Sequence, residues 1–106
     1  MPEESILVLS TFPDADCARR VARALIEEKL AACANLVPQI ESIYRWKGAI
    51  ETSSEVLLLI KSNVWKFQLL EAKIRELHPY EVPEIISIRI DSGSADYLRW
   101  IDESVL

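Results

Sequence analysis

The sequence predicts an α+β domain of ferredoxin-like split β-α-β-β-α-β order with an additional C-terminal helix: a four-stranded antiparallel sheet carrying two helices on one face. Three observations predict it. Short apolar segments suited to strands recur at 6–12, 35–47, 55–61 and 85–90. Between the first and second, and between the third and fourth, apolar residues return every three or four positions, as on a helix. Pro13, Gly48, the pair Pro79 and Pro83, and Gly93 punctuate the joints.

In the first strand, 6–12, Ile6, Leu7, Val8 and Leu9 are apolar toward both faces, which suits a central strand or a sheet face used in an interface. Pro13 ends it. Asp14 is a good N-cap and Asp16 adds negative charge to the first turn. The helix over 14–30 sets Ala18, Val21, Ala22, Leu25 and Ile26 on one side, with Arg19, Arg20, Arg23, Glu27 and Glu28 mostly on the other. Cys17 falls in its first turn, either packed in the core or as a thiol activated by the helix N-terminus.

Small residues at 31–35 lead into the second strand, 35–47. Simple alternation places Leu36, Pro38, Ile40, Ser42, Tyr44 and Trp46 on one face. Its length, about 40 Å at ~3.3 Å per residue, exceeds what a domain with a radius of gyration near ~13 Å can bury, so it must bend, break or protrude. Pro38 marks an edge or a bulge, and a projecting edge invites pairing with another chain.

Gly48 reverses the chain. The third strand, 55–61, is apolar on both faces from Val56 to Ile60. Lys61 closes it, either as a solvated strand end or as part of an anion-binding cleft. Ser62 or Asn63 caps the second helix, whose stripe is Phe67, Leu70, Ile74 and Leu77. Pro79 stops that helix by forcing His78 into an extended conformation. Residues 77–86 combine two prolines with His78, the one histidine, and with Tyr80, Glu81 and Glu84. They read either as a stiff connector or as a site. After the strand at 85–90 and Gly93, Ser94 caps a short helix bearing Tyr97, Leu98, Trp100, Ile101 and Val105. That helix is expected to cover a sheet edge or a neighbour. The second face of the sheet has no expected cover within the chain, so its apolar surface predicts burial against copies of itself in a closed symmetric oligomer.

The 106 residues form a single domain, 1–106, with 1–5 expected to be a loose end. A net charge of −5 opposes nucleic acid and anionic membranes as partners. The acidic start and the lack of an apolar run near ~18 residues predict neither a signal peptide nor a membrane span. Two distant cysteines make no disulfide framework, and a cytoplasmic location is expected. No Gly-rich phosphate loop or zinc spacing occurs. An RNA-binding sheet would display aromatics where this one has Leu7, Val8, Leu57, Leu58 and Leu59. Tyr80 and Glu81 are acid and base residue types, but nothing local positions them, so no enzyme is expected.

Five blocks, Ala31-Ala32-Cys33-Ala34-Asn35, Ser42-Ile43-Tyr44-Arg45-Trp46-Lys47-Gly48, 55–61, His78-Pro79-Tyr80-Glu81-Val82-Pro83-Glu84 and Tyr97-Leu98-Arg99-Trp100, resemble the CutA divalent-ion tolerance proteins in order and spacing. The resemblance implies a compact homotrimer similar to the PII signal proteins, a link to copper and other divalent metals, a divalent cation such as copper as ligand with no required cofactor, and no established enzymatic activity. Copper ligation in the bacterial type member looks like a Cys in the first strand plus two adjacent His. Here Ser10 and Leu77 replace two of these and His78 retains the third, while Cys33 matches the family's cysteine. The implied inter-subunit clefts would be lined by Tyr44, Lys61, His78, Tyr80, Glu81, Glu84 and Trp100. The alternative is a small anionic metabolite bound through Lys61 in a PII-like signalling trimer, with only an indirect link to metals.

Overall fold

The computed structural model describes residues 4–106. Four strands, β1 (Ser5–Phe12), β2 (Cys33–Trp46), β3 (Ala49–Asn63) and β4 (Ile86–Arg89), form one antiparallel sheet in the order β2-β3-β1-β4. Helices α1 (Ala15–Glu27) and α2 (Phe67–Leu77) follow β1 and β3, and α3 (Ala95–Ser104) ends the chain. This is the ferredoxin-like arrangement with its extra helix.

Ile6, Val8 and Phe12 of β1 and Val56, Leu58 and Ile60 of β3 point to one face, where they meet Ala18, Val21 and Leu25 of α1 and Leu70 and Ile74 of α2 in a dry core. Each of the larger side chains stabilises by roughly 1.5–3 kcal/mol on burial. Asp14 caps α1 by accepting the Cys17 amide at 2.8 Å. That helix stops at Glu27, three residues short of expectation, because Lys29 turns left-handed (φ 58°) and Leu30 swings back to bond the Leu25 carbonyl. Asn63 caps a single 3₁₀ turn, Val64–Lys66, which delays the start of α2.

Residues 1–3 of the expected loose end lie outside the described residues. Ser5, by contrast, is a buried strand residue paired with Asn63, and the Glu4 carbonyl accepts the Val64 amide.

The long hairpin protrudes, giving the molecule extents of 44 × 26 × 22 Å. Lys47 and Gly48, both at positive φ (51° and 83°), make the two-residue turn whose twist suits a hairpin. Pairing with β2 extends β3 back to Ala49, well before the apolar run that predicted it. At Pro38 the register slips by one residue between Val37 and Ile40, with Gln39 at φ 59°. This bulge inverts the alternation. Leu36 pairs with Leu58 toward the helices, whereas Ile40 pairs with Glu55 on the opposite face. The single face expected for Leu36 through Trp46 is therefore split at Pro38.

The second sheet face carries Leu7, Leu9, Leu57 and Leu59, all half-buried. The expectation that nothing in the chain covers it is corrected by α3, which lies against β3 and β1 with Ile101 and Val105 fully buried. Ten residues of helix cannot span the whole face. Ile86 and Ile88 of β4 remain half exposed, as do Ile43 and Ile50 of the hairpin at 68% and 69%.

Candidate functional site

The stiff segment after α2 crosses the end of β1 and meets the base of the hairpin. β4 pairs with β1 only as far as Leu9, so the carbonyl of Thr11 has no strand partner on that side. His78 fills the gap. The Tyr80 amide donates to Nδ1 of His78 at 3.1 Å, which leaves Nε2 protonated and donating to the Thr11 carbonyl at 2.8 Å. The imidazole stacks on Phe12, centroids 4.4 Å apart, and lies 4.7 Å from the Tyr80 ring. Burial lowers its pKa below the usual histidine value, against a smaller opposing effect of the Thr11 bond. With both nitrogens engaged, the ring has no lone pair to offer a metal in this arrangement.

Tyr80 is carried forward by that anchor, and its phenol donates to Oε2 of Glu55 at 2.6 Å. Glu55 is 7% exposed. Burial, and then the hydrogen bond to the carboxylate, push the phenol well above its ordinary pKa. Tyr44, whose hydroxyl lies 3.3 Å from that of Ser53, stands across the cleft. Thr11, Ser42, Tyr44, Trp46, Glu55, Tyr80, Glu81 and Glu84 line an open cleft of ≈ 720 Å³. Three of its lining residues are glutamates, and none is lysine or arginine.

These shifts set a pH profile. His78 is neutral in the fold and its folded pKa lies below the unfolded 6.5, so the unfolded chain takes up the proton first. Its contribution is fully present above pH 6.5 and is lost as pH falls through the folded value. Tyr80 has the opposite sense: its folded pKa lies above 10, so stability is lost as pH rises past 10 toward the folded value. Denaturant midpoints across pH should show a plateau between these limits. Replacing Tyr80 by Phe should flatten the alkaline limb.

The predicted site residues divide. Tyr44, Tyr80, Glu81 and Glu84 come together. Lys61 lies six positions along β3 from Glu55, about 20 Å at ~3.3 Å per residue. It donates to Oδ1 of Asn35 at 2.7 Å and sits 5.9 Å from the Tyr97 ring. Cys33 is its cross-strand partner, with Sγ 3.6 Å from the same Asn35 oxygen. Trp100 packs beside Tyr97, 5.4 Å between rings. Lys61, Cys33 and Trp100 thus form a second cluster around α3 within one protomer. No three His, Cys, Asp or Glu side chains among the described residues are placed to hold a metal ion. Cys17 is buried, and burial raises its thiol pKa, so of the two readings packing holds. Glu55 and Thr11 escaped sequence reasoning. Glu55, a carboxylate abutting the apolar run of β3, was the available signal.

The model of the CutA1 divalent ion tolerance protein family matches residues 6–104. The chain belongs to this family. It is 46% identical over 98 residues to the divalent-cation tolerance protein CutA of Thermus thermophilus, covering 92% of this chain and 95% of that one. The CutA homolog of Xenopus laevis is 48% identical over 95 residues, which span 90% of this chain and 63% of the relative. The solved structure of the periplasmic divalent cation tolerance protein CutA from Archaeoglobus fulgidus matches with a TM-score of 0.93 at 36% identity, covering 96% of this chain and 99% of that one. Among the described residues no helix is long and apolar enough to cross a membrane. Within this CutA1 chain, Ser10 and Leu77, which stand where the resemblance places metal ligands, both face the helix-side core rather than the cleft.

Proposed function

We propose that the protein is a non-enzymatic, homotrimeric divalent-cation response protein of the cytoplasm, and that the Tyr80 cleft takes the cation between subunits. The observation that carries this is the lining of the cleft, with Glu55, Glu81 and Glu84 unopposed by any basic residue. Carboxylates are oxygen ligands suited to divalent ions, and copper(II) heads the affinity order at oxygen and nitrogen sites alike. The cleft is open on its hairpin side, and the exposed Ile43 and Ile50 favour a neighbouring copy closing it. His78 is assigned to positioning Tyr80, and Cys33 is left out of the metal shell because it lies with Lys61. The anionic-metabolite alternative is less favoured, since within one protomer Lys61 is remote from the cleft and bonded to Asn35. Catalysis by Tyr80 is opposed by its raised pKa, which makes the phenol a poor proton donor near neutrality.

Calorimetric titration of copper(II) into the wild type and into Glu81→Gln/Glu84→Gln tests this. The variant should bind at least about tenfold more weakly, since even outer-shell partners are worth that much. Identical isotherms would remove the cleft as the cation site.

A further inference from the structure

We propose that the same cleft binds an organic ammonium ion, with Glu55, Glu81 and Glu84 holding the charge and Tyr44, Trp46 and Tyr80 walling the alkyl groups. The inference deepens the reading of the cleft as a cation site and rests on it. The volume of ≈ 720 Å³ lies within the roughly 300–1,000 Å³ of organic-ligand sites and far exceeds what one coordinated ion fills. Within one protomer no described trio of side chains is placed to hold a bare metal, so a metal there needs ligands from a second copy as well.

The walls supply the second half of the chemistry. An alkylammonium ion needs a counter-charge for its nitrogen and an apolar surface for its carbons, and the face of an aromatic ring attracts the cation as well. Trp46 already accepts a cation in this way: Nζ of Lys47 stands 5.6 Å from its ring centroid. Glu55 is the anchor. It is more than nine-tenths buried and accepts the phenol of Tyr80 at 2.6 Å. A cation beside a largely buried carboxylate is attracted more strongly than one beside an exposed carboxylate, because less water screens the pair. The phenol fixes the direction of that carboxylate, so the charge is set in place before the ligand arrives.

The test is calorimetric titration of butylammonium chloride into the assembled full-length protein, with butan-1-ol as the uncharged counterpart of similar shape. Saturable binding of butylammonium alone is expected. It should weaken by roughly five- to tenfold in Trp46→Leu, the loss of one partly desolvated cation–π contact. It should weaken also in Glu81→Gln, an exposed position whose replacement leaves the fold intact. Butanol binding as tightly as butylammonium, or Trp46→Leu binding like the wild type, would overturn the proposal. Copper(II) separates the two readings. If copper(II) binds and butylammonium does not, this inference falls and the cation-response reading stands. If neither binds, both fall.

Discussion

Replacing His78 by alanine is expected to destabilise the protein by about 3 kcal/mol, the combined effect of a lost stacked ring and two partly buried groups left without partners. The ring fills the space between Phe12 and Tyr80 and satisfies the Thr11 carbonyl and the Tyr80 amide at once. Removing it strips the anchor from the Pro79–Pro83 segment, and Tyr80 then loses its fixed approach to Glu55. Denaturation at constant protein concentration measures the change, since the proposed association would contribute to apparent stability. Because His78 acts as a brace, copper(II) affinity measured well below the melting point should fall only modestly. A loss of stability under about 1 kcal/mol combined with abolished copper binding would make the imidazole a ligand instead.

If the proposed trimer closes over the hairpin tip, Ile50→Asp is expected to separate it into folded monomers. Within one chain Ile50 is 69% exposed at the hairpin tip, so an aspartate there meets water and leaves the protomer's core untouched. Between subunits the same carboxylate would be desolvated without a partner, at a cost of several kcal/mol for each copy. Sedimentation should give a monomer with unchanged far-ultraviolet circular dichroism, and the cleft should lose cation affinity with the closing subunit. A variant that stays trimeric would place the contact elsewhere than the hairpin tip.

The layout of the fold was legible because its signals are local. Asp14 before an amphipathic run, Asn63 before α2, and proline at 79 each act within a turn of where they stand. Two things were not local. Thr52, Ser53 and Ser54 carry no apolar signal and become strand only because β2 pairs with them. The bulge after Val37 reverses which side chains share a face, so Tyr44 and Trp46 join Glu55 while Leu36 does not. Pro38 announced the bulge but not its count of residues, and that count decides the site. Lys61 would join the His78–Glu84 block only by way of a neighbouring subunit's long strand, because within one protomer the spacing along β3 keeps Lys61 away from Glu55 and Tyr80. Glu55 was hidden because its importance comes from Tyr80, 25 positions away in sequence.

The account as a whole requires that the projecting hairpin and the bare part of the sheet be covered by other copies of the chain. Sedimentation equilibrium on dilute wild-type protein measures this directly. A single species at three times the chain mass is the predicted result. A folded monomer that persists on concentration would contradict it, because the cleft would then have no second wall.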